Sequence, residues 1–392
     1  MTTVLLTLGR LPLALDLARG FSRAGCRVLV ADPFGRTLAG ASHHVARSWA
    51  VPPPATNSAG FLAAIAGIVA REAVDIVVPV SEETMHVAFL RDLIDARVRV
   101  LAMPPDQVIA LHDKAGFVRA GLAHGLSVPA SHPLGTPQAH ALAAAGAVVV
   151  KPVFSCAGRG VRIMPAGCTL PDCDTAAPAI VQRFIAGHEF SSCSLAHEGR
   201  VLATMVYRGT AMSGSVAIAF ERVEHPGIAD WIARFVAAHG WSGFIAFDFI
   251  VDAAGLVWGI ECNPRVTSGL HFWEPGDVAR AVLNPTGHAP VRVRRQRQLQ
   301  QFYACLTETQ LAMLRGRGWR DRLARLLTTR DVTWDWRDPW PFLSMIVTAW
   351  PIIRMAMAQR VPFGEVATRD VGWYDHNATP DVAAIAGNTL RS

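Results

Sequence analysis

Two carboxylates and a side-chain amide lie close together in the stretch FIAFDFIVDAAGLVWGIECN. Asp248 lies within one apolar run, and Glu261 and Asn263 lie within the next, with a short DAAG turn between the runs. If the runs are neighbouring strands, alternation puts Glu261 and Asn263 on one face, while Asp248 points away from the face of Phe247 and Phe249. Oxygen ligands buried together require a cation, and Mg²⁺ bound also to nucleotide phosphates suits them. Considered alone, however, the pattern fits a polar, solvent-facing hairpin better.

Two lysines elsewhere in the chain bear on this choice. Of the 37 basic residues, only Lys114 and Lys151 are lysines, and all the others are arginines. The ammonium group of lysine is a compact point charge that fits a tight phosphate pocket, whereas the guanidinium of arginine is a broad planar fork. Lys114 follows Asp113 at the start of a predicted helix, and Lys151 ends a predicted strand. The alternative is that two unimportant lysines remain by chance where the chain otherwise uses arginine. Their positions along the chain argue against this alternative.

A glycine-rich turn follows Lys151. It covers residues 155–160 and contains Ser155, Gly158 and Gly160. Small residues let backbone N–H groups converge on phosphate oxygens, so such a turn can form an anion nest. Because the lysines and this turn precede the carboxylates, we predict a Mg²⁺–nucleotide site rather than a solvated hairpin.

The elements that position these residues begin with an alternation of strand and helix. The apolar pattern before residue 110 predicts strands at 3–9, 26–31, 74–80 and 97–102 and helices at 11–24 and 58–73. This alternation predicts a parallel, doubly wound sheet. Asp32 follows the second strand, but the first turn carries only Gly9 and lacks the G-x-G-x-x-G spacing. Dinucleotide binding is therefore not expected, and Asp32 is predicted to cap the strand end.

The chain is predicted to be an α/β protein of four units. Residues 1–110 form the doubly wound domain, and residues 111–180 form a second unit that contains the glycine-rich turn. Residues 181–290 form a β-rich unit that contains the carboxylates, and residues 291–392 form a mostly helical extension.

Taken in order, these segments resemble the ATP-grasp family over residues 1–290. VVVKPVFSCAGRGV resembles the strand–lysine–glycine-loop element of the family, and IVQRFIAGHEF resembles its adenine-and-ribose segment. FDFI…GIECNPR resembles its metal-binding element, in an E-x-N-P-R form like that of the carbamoyl phosphate synthase and biotin carboxylase branch. The resemblance implies an ATP-grasp fold behind an N-terminal pre-ATP-grasp domain, with ATP and Mg²⁺ as cofactors.

The resemblance also implies roles at the phosphates. Lys114 and Lys151 would hold the α- and β-phosphates, and the loop at residues 155–160 would close over the γ-phosphate as a mobile lid. The three oxygen ligands named above would hold one or two Mg²⁺ ions, with Mn²⁺ as a substitute. Arg265 would face the acyl phosphate or the substrate carboxylate, so Lys151 and Arg265 are the implied catalytic residues.

For the nucleoside, the resemblance points to four residues. Gln182, Arg183 and Ile185 would meet the adenine, the last two through the backbone, and Glu189 would bind the ribose hydroxyls. Many members of the family carry glutamate at the position of Gln182. The glutamine can still accept a hydrogen bond from the adenine amino group.

A second departure concerns a missing positive charge. Ala246 occupies the place where D-alanine–D-alanine ligases carry a catalytic arginine. This difference argues against a dipeptide ligase of that kind but not against ATP use. Arg208, Arg222 and Arg265 are the candidates to supply the charge near the substrate.

The segment PVSEET at residues 79–84 is a candidate for the acceptor pocket. Ligands favour the carboxyl edge of a parallel sheet, so Glu82 or Glu83 could bind an amine there. A helix cap at Ser81 followed by acidic first-turn residues explains the motif equally well. His271, in GLHFW beside the metal element, is predicted to pack rather than to touch substrate.

The predicted reaction is ADP-forming ligation of a small-molecule carboxylate to an amine in specialised metabolism. ATP would convert the carboxylate into an acyl phosphate, which the amine attacks as phosphate leaves. One alternative is carboxyphosphate chemistry, in which bicarbonate is the activated carboxylate. Another is a non-catalytic nucleotide-binding protein, against which the retained lysines and metal ligands argue.

Composition bears on the partners. The net charge of +6 is local, with arginines crowded at 292–297 and 315–330, and no nucleic-acid-binding motif accompanies them. We therefore expect no nucleic acid partner. Seven cysteines without paired spacing and a start, MTTVLLTLGR, unlike a secretion signal predict a cytoplasmic protein. We also expect a homodimer.

The segment WDWRDPWPFLSMIVTAWPIIRMAMA is apolar and rich in tryptophan. Pro339, Pro341, Pro351 and Arg354 interrupt it, so a transmembrane helix is not expected. Packing in a core or an interface is the favoured role. A cover over the active site, contact with a membrane surface and a hydrophobic substrate are less favoured alternatives.

Overall fold

A computed structural model describes residues 1–155, 158–174, 177–287, 289–359 and 366–374, together with residues 380 and 385. Its N-terminal sheet has five parallel strands in the order β3-β2-β1-β4-β5. The strands are β1 (Thr3–Leu6), β2 (Arg27–Asp32), β3 (Arg47–Ala50), β4 (Ile76–Val78) and β5 (Arg99–Val100). The helices between them are α1 (Pro12–Arg23), α2 (Ser58–Glu72) and α3 (Thr84–Val87).

The sheet is doubly wound, as the alternation predicted. Leu5 belongs to the apolar cluster that contains Phe61 and Ile65 of α2. Val4 and Leu6, on the other face, belong to a second cluster with the side chains of α1. Helices thus cover both faces, which is why β1 and β2 read as continuous apolar runs. The sequence did not predict β3, because this edge strand is largely exposed and lacks an apolar pattern.

Asp32 caps the end of β2, as predicted. Its carboxylate accepts hydrogen bonds from the backbone N–H groups of Gly9, Arg10 and Phe34 at 3.0, 3.1 and 2.8 Å. It also forms a buried ion pair of 2.8 Å with the Arg10 guanidinium. These contacts occupy the acidic group that a dinucleotide site would need for the ribose.

A smaller antiparallel sheet, in the order β6-β9-β7-β8, follows two helices, α4 (Pro105–His112) and α5 (Lys114–Ala123). Its elements are β6 (Ser131–Pro133), α6 (Pro137–Ala145), β7 (Val148–Pro152), β8 (Arg162–Met164) and β9 (Ala179–Arg183). β9 straddles the predicted boundary between residues 180 and 181. All of its pairing is with β6 and β7, which places the adenine segment in this sheet.

The largest sheet has seven strands in the order β14-β13-β10-β11-β12-β15-β16. Its central elements are β10 (Gly187–His197), β11 (Arg200–Ser213), β12 (Val216–Val223), α7 (Pro226–Ala238), β13 (Gly243–Asp252) and β14 (Val257–Asn263). Trp231 of α7 packs edge-on against Phe247 and Phe249, with ring centroids 5.2 Å apart in each pair. This aromatic core holds the β13–β14 hairpin in place from one side.

Helix α8 (Pro275–Leu283) lies against α1. The approach is close at Gly20, where a Cβ atom would lie 2.3 Å from the carbonyl oxygen of Pro275. The helices therefore fit together only because Gly20 has no side chain.

The C-terminal stretch is mostly helical, as predicted. It contains β15 (Gln298–Gln300), α9 (Phe302–Leu314), α10 (Trp319–Thr328), β16 (Arg330–Asp331), α11 (Trp340–Leu343), α12 (Met345–Thr348) and α13 (Trp350–Gln359). Residues 366–374 return to the N-terminal domain, where buried Trp373 lies 4.8 Å from the ring of His86. Among the residues described, none of the helices has the length and apolar character needed to cross a membrane.

Candidate functional site

The β13–β14 hairpin brings the predicted oxygen ligands together. Asp248 pairs directly opposite Glu261, and the amide nitrogen of Asn263 donates to Asp248 Oδ2 at 3.1 Å. Phe247 and Phe249 point into the core on the other face, as alternation predicted. The polar face of this hairpin is therefore an ordered cluster rather than a solvated surface.

A residue that the sequence did not single out supports this cluster. Ser191 lies opposite Asp248 on β10, and its hydroxyl donates to Asp248 Oδ1 at 2.7 Å. β10 and β13 are separated by two strands and a helix in the sequence, so only their pairing could reveal the contact. Ser191 fixes the orientation of the carboxylate in the way outer-shell residues orient metal ligands.

Both lysines lie at the same cluster. Lys114 is the first residue of α5, and Asp113 caps this helix by accepting from the backbone N–H of Ala115 at 2.7 Å. Lys114 Nζ donates to the carbonyl and hydroxyl oxygens of Ser155 at 2.9 and 3.1 Å, and lies 3.3 Å from Glu261 Oε1. Lys151, on β7, donates through Nζ to the carbonyl oxygen of Ile260 at 3.2 Å.

Burial gives these charges unusual electrostatics. The side chains of Lys114 and Lys151 are almost fully buried. Burial lowers the pKa of Lys151 to about 8, with Glu261 opposing the shift. Burial raises the pKa of Asp248 to about 6, and the neighbouring negative charge of Glu261 adds to the rise. Two carboxylates and two ammonium groups therefore share a poorly solvated space. Their electrostatic interaction with a charged ligand would be stronger there than in water.

The donor set fits a magnesium ion. Asp248 and Glu261 offer carboxylate oxygens and Asn263 offers an amide oxygen, and all are hard ligands of the kind that Mg²⁺ prefers. The Asn263 oxygen accepts from the Arg265 guanidinium at 3.1 Å, so it would have to exchange this partner for the ion. Burial and, second to it, the negative charge of Glu261 raise the pKa of Asp248, and a cation bound between the two carboxylates would favour their charged forms.

The glycine-rich turn adopts backbone angles that need glycine. Gly158 and Gly160 have φ values of +67° and +72°, and a Cβ on Gly160 would lie 2.7 Å from Pro152 Cγ. Between them, Arg159 donates to the Tyr374 hydroxyl at 2.7 Å. Residues 156 and 157 lie outside the described residues. The predicted roles of this turn in phosphate binding and as a mobile lid stay predictions.

The adenine segment lies on β9 and at its end. Gln182 is buried and donates to the Ser131 hydroxyl at 3.0 Å, while Ile185 is also buried. The backbone N–H of Arg183 donates to the carbonyl of Ala130 at 2.8 Å. The Arg183 guanidinium lies 4.7 Å from the ring of Trp258, and Glu189 is exposed on β10. The nucleoside contacts assigned to these residues stay predictions.

Arg265 joins the β13–β14 hairpin to the N-terminal sheet. Its Nε donates to Glu82 Oε1 at 2.8 Å, and its Nη2 donates to Asn263 Oδ1 at 3.1 Å. Although burial alone would raise the pKa of Glu82, the Arg265 guanidinium holds it below its usual value. Glu82 thus lies at the site in its charged form.

Glu83 has a different environment. Its carboxylate accepts from the backbone N–H groups of Val80 and Ser81 at 2.7 and 3.0 Å and from the Thr7 hydroxyl at 3.0 Å. Burial raises its pKa. The predicted helix cap at Ser81 is not observed, because α3 begins after Glu83 and has no side-chain cap hydrogen bond. Glu83 instead holds the loop before α3, whereas Glu82 contacts Arg265 beside the carboxylate cluster.

Two other candidate arginines have contacts of their own. Arg208 on β11 forms an ion pair of 2.6 Å with Glu221, and its side chain is about half exposed. Arg222 lies on β12, where it pairs with Tyr207. Arg265, by contrast, directly contacts Asn263 of the β13–β14 hairpin. His271 is buried, and its Nδ1 lies 2.7 Å from Asp16, which agrees with the predicted packing role.

One further group of side chains among the described residues could share a metal ion. Ligand atoms of His43, His44 and Asp338 lie within 4.8 Å of one another. The Asp338 carboxylate, however, already accepts from Arg19 at 2.9 Å and from Ser42 at 2.7 Å. The adjacent guanidinium opposes a cation, so we assign this group no function.

Comparison with known proteins identifies one domain of the chain. Residues 111–269 match the family model of the ATP-grasp domain. No curated protein sequence matches the chain significantly.

Several solved structures share the fold. N5-carboxyaminoimidazole synthetase from Staphylococcus aureus, complexed with ADP, is 11% identical over 74% of this chain and 80% of its own, with a TM-score of 0.58. L-amino acid ligase from Bacillus licheniformis is 16% identical over 69% of this chain and 68% of its own, with a TM-score of 0.53. Biotin carboxylase from Campylobacter jejuni is 14% identical over 74% of this chain and 73% of its own, with a TM-score of 0.57. Residues 111–269 thus match an ATP-grasp domain, and the chain shares its fold with these three structures.

Proposed function

We propose that this ATP-grasp protein is an ADP-forming ligase that activates a carboxylate as an acyl phosphate and joins it to an amine. The observation that carries the proposal is the convergence of Lys114, Lys151 and the Asp248–Glu261–Asn263 cluster, with Lys114 Nζ only 3.3 Å from Glu261 Oε1. Few reactions other than phosphoryl transfer call for buried ammonium groups beside a magnesium-type donor set. A small-molecule carboxylate and an amine are the proposed substrates, in specialised metabolism in the cytoplasm.

Each group then has a task in phosphoryl transfer. Lys114 and Lys151 bind α- and β-phosphate oxygens, and Asp248, Glu261 and Asn263 hold one or two Mg²⁺ ions. The bound Mg²⁺ would neutralise phosphate charge. The buried surroundings exclude water, so the electrostatic attraction of the lysines is stronger than it would be in solution. The substrate carboxylate attacks the γ-phosphorus, and ADP leaves.

Arg265 serves the second half of the reaction. Its guanidinium, oriented by Glu82 and Asn263, stabilises the oxyanion that forms when the amine adds to the acyl phosphate carbonyl. Phosphate leaves, and the amine loses a proton. The glycine-rich loop closes over the intermediate and protects it from hydrolysis.

One structural neighbour supports the carboxyphosphate alternative. The chain shares its fold with the biotin carboxylase domain of the 2-oxoglutarate carboxylase from Hydrogenobacter thermophilus, whose structure contains MgADP and bicarbonate, at 13% identity and a TM-score of 0.57. Bicarbonate is itself a carboxylate, and its activation would give carboxyphosphate at the same site. The fold similarity to L-amino acid ligase favours the amide-forming reaction equally.

A trapping experiment separates these reactions. The protein is incubated with Mg²⁺-ATP, hydroxylamine and a panel of carboxylic acids, and ADP and hydroxamate are measured, with Lys151→Ala as the control. We expect a hydroxamate and ADP with one class of acid and neither product with the variant. ADP release that depends on bicarbonate alone would support the carboxyphosphate alternative, and release of AMP would contradict the proposed mechanism. ATP binding without any turnover would favour a non-catalytic role.

A further inference from the structure

An exposed apolar surface runs along the three short helices near the C-terminus. Helices α11, α12 and α13 follow one another from Trp340 to Gln359 with single-residue breaks. Seven large apolar side chains here are more than half exposed, a set we call the tryptophan face: Trp336 (83%), Trp340 (64%), Leu343 (55%), Ile346 (63%), Val347 (62%), Trp350 (55%) and Met357 (71%). A concentration of this size marks an interaction surface, since exposed apolar side chains elsewhere are usually scattered singly.

The tryptophan face follows a helical period. From Trp336 its members recur at intervals of four, three, four and three residues, at positions 340, 343, 347 and 350. The next intervals reach Arg354 and Met357. From Trp340 onward this spacing is typical of an apolar stripe along one side of a helical segment. Trp336 lies in the turn before α11, and Ile346 lies outside the spacing.

Charge decides which occupant fits the stripe. Between Pro339 and Gln359 the sequence has no acidic residue, and Arg354, within the stripe, is exposed. If a second copy of the chain covered the face, two Arg354 side chains would be buried among apolar groups without a carboxylate of the face to neutralise them. At a bilayer, an arginine can lay its aliphatic stem along apolar groups and reach a lipid phosphate with its guanidinium.

A basic cleft adjoins the tryptophan face. The cleft has a volume of about 240 Å³ and is lined by Glu274, Pro275, Gln296, Asp335 and four arginines, namely Arg23, Arg294, Arg295 and Arg330. Arg23 and Arg294 are paired with Asp335 and Asp16 at 2.7 and 3.0 Å. Within the described part of the chain, the guanidinium groups of Arg295 and Arg330 form no such ion pair, and both residues are exposed. Uncompensated guanidinium groups in a cleft bind phosphate oxygens well.

The cleft and the tryptophan face meet in the sequence at residues 335 and 336. Asp335 lines the cleft, and Trp336 follows it directly as the first member of the face. The rings of Trp334 and Trp336 lie 5.0 Å apart, and Trp334 packs against Phe342 of α11 at 5.2 Å. The cleft shares none of its lining residues with the nucleotide site.

We propose that the tryptophan face and the arginine cleft form one docking surface for a bilayer that contains anionic phospholipids. The tryptophans enter the headgroup region, and Arg295, Arg330 and Arg354 contact lipid phosphates. The helices lie on the membrane rather than across it, because the ten residues of α13 span about 15 Å and the hydrocarbon core is about 30 Å thick. The sequence favoured core or interface packing for this segment, but the observed exposure of its tryptophans now favours a membrane surface.

Flotation of the full chain with vesicles tests this proposal without nucleotide or substrate. We compare vesicles of phosphatidylcholine alone with vesicles that also contain phosphatidylglycerol, at low and high salt. We expect the protein to float with the anionic vesicles, with a blue shift of tryptophan fluorescence, and to dissociate as salt rises. Binding is independent of ligase activity, so failure here would leave the proposed function untouched.

Two pairs of substitutions separate the apolar and charged contributions. Trp340→Ser with Trp350→Ser should abolish flotation, and Arg295→Ala with Arg330→Ala should weaken partitioning about 30-fold. Leu122→Ser with Arg234→Ala, which changes exposed residues outside the surface, should bind like the unchanged chain, and circular dichroism checks that each variant folds. Absence of flotation with both vesicle types would overturn the proposal. So would a tryptophan variant that converts a dimer into a monomer, because the face would then be a protein interface.

Discussion

The Arg265 guanidinium lies 2.8 Å from the Glu82 carboxylate, although the two residues are 183 positions apart in the sequence. Glu82 follows the end of β4 in the N-terminal sheet, whereas Arg265 follows β14 of the seven-stranded sheet. The same guanidinium also donates to Asn263 of the predicted metal site. The pair therefore ties the predicted acceptor edge of one sheet to the predicted metal ligands of another.

Substitution of Glu82 by glutamine should destabilise the protein. Glutamine keeps an oxygen that accepts from Arg265 but removes a buried charge, so we expect the free energy of unfolding to fall by about 2 kcal/mol. Equilibrium denaturation in urea measures the change. The double variant Glu82→Gln with Arg265→Gln should lose less free energy of unfolding than the sum of the two single variants. The reason is that the double variant leaves no buried charge without its partner. Strict additivity would show that the ion pair contributes nothing.

Substitution of Lys151 by methionine should separate activity from stability. Methionine is of similar length but apolar, so the variant avoids burying an ammonium group but also removes a positive charge near Glu261 and Asp248. Because these two effects oppose each other, we expect only a small change in stability. If Lys151 stabilises charge in the transition state, ADP formation should fall about 100-fold or more. Steady-state ADP release measures the loss of activity, and thermal unfolding measures the change in stability. Arg119→Met, at an exposed position of α5, is the matched control, and equal effects of both variants would refute the role of Lys151.

Ser191 offers a test of the metal cluster that leaves its ligands intact. Ser191→Ala removes the hydroxyl that orients Asp248 at 2.7 Å. Loss of such an outer-shell contact should raise the Mg²⁺ concentration needed for half-maximal activity about 10-fold. A Mg²⁺ titration of ADP formation measures this shift. Ser344→Ala, in the C-terminal stretch, should leave the titration unchanged, and an unaltered Mg²⁺ dependence in Ser191→Ala would exclude the positioning role.

His86 should make the folded protein sensitive to acid. Burial lowers its pKa to about 4, and His112 adds to the effect, although a hydrogen bond to the Gly372 carbonyl opposes it. The folded state thus binds fewer protons than the unfolded state, whose histidine has a pKa of 6.5. Stability present above pH 6.5 is therefore lost as the pH falls towards 4, by about 3 kcal/mol.

The variant His86→Gln supplies the comparison. Glutamine does not titrate in this range, so the variant should lose about 3 kcal/mol less than the unchanged protein between pH 7 and pH 4. Urea denaturation at each pH provides the values. Parallel pH profiles of the two proteins would show that His86 is not buried in its neutral form.

Much of the site could be predicted from the sequence because its residues stand on regular elements. Alternation along β13 and β14 fixes which face carries Asp248, Glu261 and Asn263, whatever the rest of the fold does. The scarcity of lysine in the sequence was enough to identify Lys114 and Lys151 as candidate phosphate-binding residues. The strand–helix alternation of the first hundred residues likewise determined a doubly wound sheet, since local periodicity reports which faces are buried.

Contacts between distant segments were decided only by the tertiary structure. Ser191 reaches Asp248 because β10 pairs with β13, and Arg265 reaches Glu82 because two sheets pack together. Neither contact leaves a local periodic signal, so the sequence could not distinguish Glu82 from Glu83. The C-terminal stretch shows the same limit: its spacing reveals an apolar stripe, but burial depends on whether another part of the chain covers it. In the fold nothing described covers Trp336, Trp340 or Trp350, and their exposure turns a predicted packing segment into a candidate membrane surface.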